Sequence, residues 1–316
     1  MAPDETDEPA ITPDYTPVVP DPVYLEDYSI AQLTDSEKDQ QIRYGYDLFM
    51  KTSEFLGPLN EELEEPYTGN VLSCNNCHLL GGTKPFGAPL IGIIQRFPQY
   101  RGREDKIGTI EERVNGCMER SMNGRKIDPD GAEMKAFVAY MEWLGRFAPE
   151  DGQIAGLGFP GLELPERAVD LEHGRQVFTK HCVECHFADG QGQLKADSTG
   201  YLYPPLWGKH SYNNGAGMTR VITSARFIKG NMPYGTTYDK PMLTDEEAYD
   251  VAGYINRHDR PVKPNLDADY PNMRKKPVSS PYPPYDDPFS LEQHQMGPFQ
   301  EIMAYYKKEY QMEKRH

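Results

Sequence analysis

The sequence predicts an all-α protein of two small helical domains in tandem, with an extended N-terminal segment and a C-terminal tail. Three observations carry that reading. One short cysteine motif occurs twice, at Cys74–His78 and Cys182–His186, each time between an opening and a closing helical stripe. Gly and Pro number 28 each in 316 residues, which favours short helices joined by ordered loops over long sheets. The length suits two domains, and a 38% hydrophobic content is enough to pack a core in each.

Residues 1–27 hold eight acidic residues, no basic ones and several prolines, the composition of a solvated, disordered leader. The first domain is expected over 28–148. Ile42, Gly45, Leu48 and Phe49 mark its opening helix. Asp128 and Pro129 offer an N-cap and a first-turn proline for its closing helix, whose apolar stripe is Met134, Phe137, Val138, Met141 and Leu144. Residues 149–167, rich in Gly and Pro, read as a linker. The second domain, 168–262, opens with Leu171, Gly174, Val177 and Phe178. It closes with a capping box at Thr244 and Glu247, followed by Ala248, Val251, Ala252 and Ile255. Both opening helices carry Gly-x-x-x-Phe, at Gly45/Phe49 and Gly174/Phe178. Between Phe49 and Cys74 lie 24 residues, against three between Phe178 and Cys182, so the first copy carries an insertion. The tail, 263–316, is Pro-rich, ends in a helical pattern from Phe299 to Tyr310, and is expected to lie across the folded body.

Net charge is −16, which argues against nucleic acid or an anionic membrane as partner. No run of 18 apolar residues is present, so no membrane insertion is expected.

Four of the five cysteines fall into Cys74-Asn75-Asn76-Cys77-His78 and Cys182-Val183-Glu184-Cys185-His186. Cys-x-x-Cys-His is the attachment pattern of c-type haem. Two thiols at that spacing reach the two vinyl groups of one porphyrin, and the next residue sets an imidazole under the iron. Zinc would need two more ligands at each motif, with matched spacing. The expectation is two covalently bound haem c groups, attached through Cys74, Cys77, Cys182 and Cys185, with His78 and His186 on the irons. The Gly-x-x-x-Phe helices resemble the N-terminal helix of class I cytochromes c. Such haem is attached outside the cytoplasmic membrane in bacteria. The chain opens at Met1-Ala2-Pro3-Asp4 without a secretion signal, so the expected location is the periplasm, with the signal borne by a precursor.

Each haem iron has a further position to fill. In the second domain Met232-Pro233 lies 46 residues after His186, where a thioether ligand is expected; Met218, Met242 and Lys229 compete for the role. The first domain has no Met-Pro. Cys117, the odd thiol, lies 39 residues after His78, with Met118 and Met122 as alternatives. A thiolate there would lower the iron's potential and be nucleophilic once released. Met134 and Met141, at helical spacing, read as core. Around Cys117 the charge reverses: residues 96–126 hold eight basic and five acidic residues. Guanidinium groups suit small oxyanions, which makes Arg103, Arg113 and Ser121 candidates for a substrate pocket.

The run Val114-Asn115-Gly116-Cys117-Met118-Glu119-Arg120-Ser121-Met122-Asn123-Gly124, together with Pro205–Gly208, Ser211–Met218, Asn231-Met232-Pro233, Asp269–Asn272, Asp287–Ser290 and the two haem motifs, resembles the thiosulfate dehydrogenase and tetrathionate reductase family of dihaem cytochromes c. The resemblance runs from about residue 28 to 300. It implies His78/Cys117 at the first haem and His186/Met232 at the second. It also implies coupling of two thiosulfates to tetrathionate at the first haem, or the reverse, with electrons exchanged through the second haem with a small periplasmic cytochrome. Some members carry a lysine before the methionine; Asn231 here implies stable methionine ligation. Two alternatives stand: a dihaem electron carrier without a substrate, and a sulfur-transferring cytochrome resembling the haem subunit of the Sox system.

Overall fold

The computed structural model describes residues 20–314. Residues 1–19, most of the acidic leader, lie outside the described residues. The leader reading ends earlier than residue 27: Pro22–Leu25 form a turn of 3-10 helix capped by Asp21, and Val23 is buried with Ile91 and Ile154. One apolar side chain with a pocket to fill is enough to order this stretch despite its acidic composition.

The first domain is built on α1 (Glu37–Met50) packed against α4 (Ala132–Leu144), with α2 (Thr52–Leu56) in the insertion and α3 (Ile110–Arg120) carrying Cys117. The second repeats the plan with α5 (Leu171–His181) on α7 (Asp245–Asn256), and α6 (Val221–Asn231) leading into Met232. The two Gly-x-x-x-Phe glycines do the same work. A Cβ on Gly45 would stand 2.0 Å from the Ala136 carbonyl oxygen, and one on Gly174 would stand 2.2 Å from that of Asp250. Only glycine lets these helices cross backbone to backbone. Phe49 and Phe178 are buried on the two cores.

The Thr244 capping box is present, Thr244 Oγ1 accepting from the Glu247 amide and the Glu247 carboxylate from the Thr244 amide. The other expected start is corrected. Asp128 caps a turn, accepting from the Asp130 amide, and α4 begins after Gly131. Met134 is core, as its spacing predicts. Two short antiparallel ribbons, β1 (Gln99–Arg101) with β2 (Lys106–Gly108) and β3 (Gln193–Leu194) with β4 (Tyr201–Tyr203), stand among the helices.

The linker is an ordered strap. Its Gly156 and Gly158 carbonyls accept from the Phe86 and Ala88 amides, and Arg226 on α6 donates to the Phe159 and Pro160 carbonyls. The tail crosses both domains. Helix α8 (Leu291–Met296) is followed by α9 (Phe299–Tyr310), which buries Phe299, Ile302 and Tyr306 in the second core. Upstream, the Tyr270 amide donates to the Arg103 carbonyl of the first domain. Among the described residues no helix is long and apolar enough to cross a membrane.

Candidate active site

Helix α3 sets the first site. Thr109 and Glu112 form its capping box, which fixes where the helix starts and hence which face each residue occupies. Arg113 and Cys117, four apart, share a face. Arg113 Nη1 donates to Cys117 Sγ at 2.8 Å. Met118, the next residue, is buried in the core and is not among the cavity's lining residues; Met122 lies on the cavity wall.

That cavity has apolar walls, with Cys74, Cys77, His78, Arg113, Cys117 and Ser121 among its lining residues. His78 lines the same cavity. Its Nδ1 is 2.7 Å from the Ala88 carbonyl oxygen, which fixes the ring and directs Nε2 into the cavity. Burial alone would push the Cys117 thiol up. The Arg113 guanidinium and the facing His78 imidazole outweigh it and hold the thiol at about 6, so thiolate prevails at neutral pH. Cys74 and Cys77 lack such neighbours, and burial pushes both up to about 12. Thr52 donates to Cys74 Sγ and accepts from the Cys74 amide, so the insertion orders the motif.

The donor set fits a covalently held haem. Two thiols, an imidazole with its far nitrogen tied and a thiolate line one mainly apolar cavity. Among the described residues no cluster of three His, Cys, Asp or Glu side chains is arranged to hold a bare metal ion.

The second site has the same frame. His186 Nδ1 is 2.8 Å from the Pro204 carbonyl oxygen, and burial holds the imidazole's pKa below its ordinary value, favouring the neutral, ligating form. Cys182 and Met232 pack on the surrounding core. Of the competitors, Lys229 is paired with Asp245, Met242 is 53% exposed, and Met218 packs on the second core while also lining the first cavity.

Of the residues expected around a substrate, Arg113 and Ser121 lie on the cavity wall and Arg103 does not. Arg103 Nη1 donates to the Gly215 carbonyl at 2.6 Å and to Asp269 at 3.3 Å. The same carboxylate pairs with buried Arg120 and accepts from Tyr282. A tail carboxylate thus claims Arg103, a contact that no local pattern reveals. The sequence reading also missed that the second domain walls the first cavity, through Tyr212 and Met218. The Ser211–Met218 run was the available signal, but it carries no ligand spacing.

Two family models match the chain: "SoxA/TsdA, cytochrome c domain" over residues 63–149 and "Cytochrome c" over residues 171–259. The thiosulfate dehydrogenase of Allochromatium vinosum is 44% identical over 200 residues, covering 62% of this chain and 72% of the relative. That of Thiomonas intermedia is 35% identical over 246 residues, covering 78% and 74%. A solved structure, thiosulfate dehydrogenase (TsdBA) from Marichromatium purpuratum in its as-isolated form, superposes with a TM-score of 0.68 at 36% identity. The match covers 75% of this chain and 50% of that one. Two cytochrome c domains, each with its Cys-x-x-Cys-His motif, give the chain two covalently bound haem c groups.

Proposed function

The chain belongs to the thiosulfate dehydrogenase family, and from that premise we propose that it couples two thiosulfates to tetrathionate at the cavity holding His78 and Cys117. The observation that carries this reading is the 2.8 Å contact from Arg113 to Cys117 Sγ, which keeps a thiolate facing the proximal histidine. His78 and Cys117 would hold the iron of the first haem, and His186 and Met232 that of the second. When bound there, the two haems would supply the oxidising capacity, one electron each for a two-electron coupling, with an external acceptor as the final sink.

The chain's own groups do the sulfur chemistry. Cys117 thiolate forms a bond to the sulfane sulfur of one thiosulfate. The products are an enzyme-bound Cys–S–S–SO3⁻ and two electrons. A second thiosulfate attacks that sulfane sulfur, tetrathionate departs, and the bonding pair returns to Cys117 as thiolate. Arg113 stabilises the sulfonate in the adduct as it stabilises the thiolate before it. Ser121 offers a hydroxyl on the same wall. Arg103 supports the wall through Gly215 and Asp269 rather than by contact with the cavity. The partner is a small periplasmic cytochrome, and the location is the periplasm.

The test is thiosulfate added to the oxidised holoprotein with ferricyanide as acceptor, with tetrathionate assayed directly. One tetrathionate per two ferricyanides reduced is expected. Cys117→Gly should keep both haems attached and lose turnover; an active variant overturns the covalent scheme. No tetrathionate in this direction, and no thiosulfate from tetrathionate with a reduced dye, would leave a carrier or a sulfur-transfer protein.

A further inference from the structure

Lys84 crosses from the first domain to the loop that carries Met232. Its Nζ donates to the Thr236 carbonyl at 3.1 Å. The Thr236 amide donates in turn to the Pro233 carbonyl at 3.0 Å, closing a turn that starts next to Met232. The aliphatic stem runs past the other side of Met232 as well. A Cβ on Gly87 would stand 3.0 Å from Lys84 Cβ and 3.3 Å from Asn231 Oδ1, so one glycine separates the stem from the residue before Met232. The rings of Phe86 and Tyr238 meet at 4.7 Å and complete the seat.

The ammonium at the end of that stem has no counter-ion. Lys84 is partly buried, and among the described residues no carboxylate pairs with it; it bonds to a carbonyl instead. The other charges around the loop cancel in pairs. Lys229, in the last turn of α6, is paired with Asp245, and exposed Asp239 stands beside exposed Lys240. What remains at the Met232 loop is one net positive charge, drawn partly out of water and so weakly screened. A ferric haem carries one more positive charge than a ferrous one. A cation held nearby therefore disfavours the ferric state and raises the reduction potential.

We infer that Lys84 is the first domain's electrostatic lever on the second haem: seated on the Met232 loop, its ammonium raises that haem's potential and draws the electrons released at Cys117 towards the second domain. This rests on the proposed coupling reaction and on Met232 as a ligand. Cys117 thiolate sets the first haem low and Lys84 sets the second high, so the two side chains widen the same gap from opposite ends. The first domain thus supplies both the sulfur chemistry and part of the pull on its electrons.

The experiment compares wild type, Lys84→Gln and Lys84→Arg as holoproteins by spectroelectrochemical titration at fixed ionic strength. The thioether–iron absorption follows the second haem. Lys84→Gln keeps a hydrogen-bond donor and removes the charge. At a set potential its second-haem Fe(III)/Fe(II) ratio should rise about threefold or more over wild type, a fall of about 28 mV in the midpoint. The first haem should move less, and the thioether absorption should stay. Lys84→Arg keeps the charge and should hold the ratio near that of wild type. A change below threefold in Lys84→Gln overturns the inference. So does an equal shift at the first haem, or an arginine variant that falls as far as the glutamine one, which marks a clasp rather than a charge. If Lys84→Gln loses the thioether absorption, Lys84→Met, which refills the volume of the stem without charge, is judged by the same threshold. If both lose it, the loop needs the clasp and the inference falls. A wild type without thioether absorption refutes Met232 as ligand by itself. The second haem is then followed as the one whose spectrum Cys117→Gly leaves unchanged, and the same threshold decides for Lys84. A wild type that makes no tetrathionate fails the coupling reading alone, since these potentials are measured without substrate.

Discussion

Asn231 donates its side-chain amide to the carbonyl of Phe86 at 3.0 Å, tying the residue before Met232 to the loop that orients His78. Asn231 is 2% exposed, and its second bond, at 3.1 Å, closes the end of α6 on the Phe227 carbonyl. Two residues from Phe86, the Ala88 carbonyl holds His78 Nδ1. His78 and Met232, the residues proposed to hold the two irons, are therefore braced by one side chain.

Asn231→Ala should release that brace. Two buried carbonyls lose their donor, at a cost of about 1–3 kcal/mol. The Met232 loop should loosen, and the thioether–iron absorption of the oxidised second haem should weaken. The measurement is the near-infrared spectrum beside a thermal melt. An intact thioether band with an unchanged melt would mean that Asn231 supports neither element.

Arg113→Leu should depress kcat/KM for thiosulfate by about a hundredfold or more, the scale of losing one preorganised donor at a site of developing charge. Both haems stay attached, because Arg113 touches neither motif cysteine. Arg113→Lys should recover only part of the activity, since a single ammonium cannot copy a planar fork. The check is steady-state kinetics on haem-loaded protein. A leucine variant within threefold of wild type would separate the 2.8 Å contact from catalysis.

The helices, both haem motifs and the close-crossing glycines were legible because each is local: a stripe, a box or a spacing puts the information within a few residues. Cys117 was legible by subtraction, as the thiol that the attachment motifs do not use. What could not be read depends on the tail and the second domain returning to the first. Asp269 claims Arg103 across 166 positions, and Tyr212 and Met218 reach a cavity assembled from other elements. Arg103, Arg113 and Arg120 look alike in a string of basic residues. Only the placement of one carboxylate separates the clamped pair, Arg103 and Arg120, from the residue that faces the sulfur. The start of α4 was misread for a different reason: Asp128 has cap chemistry, and its turn uses that chemistry three residues too early for the helix.

Gly45→Ala and Gly174→Ala should each destabilise the domain they occupy. The added methyl meets a backbone carbonyl, which cannot rotate aside, so the helices must part. The expected cost is about 1–3 kcal/mol for each, and more where the separation strains the haem motif. Unfolding followed by far-ultraviolet circular dichroism measures it. Gly158→Ala is a useful contrast. No heavy atom lies within 4 Å of an added Cβ there, so only the positive φ of 69° opposes the change, at a smaller cost. Equal melting temperatures for Gly174→Ala and wild type would refute the close crossing.

The acid limb of the stability curve should depend on Asp250. Its carboxylate is fully buried under α5. Burial alone would raise its pKa, but Arg167, His173 and the Asp170 amide bind it and together hold the carboxyl below its ordinary 3.8. The unfolded chain therefore takes up a proton at a higher pH than the folded one. The stabilisation is fully present above that ordinary value and is lost as pH falls through the lower folded one. Asp250→Asn should flatten the difference between the two acid-unfolding curves in that window. At neutral pH it should cost about 1–3 kcal/mol, towards the low end because Arg167 is 38% exposed and re-solvates. Chemical denaturation at several pH values, at one ionic strength, gives both quantities. If stability falls as steeply with acid in the variant as in wild type, another carboxylate governs the acid limb.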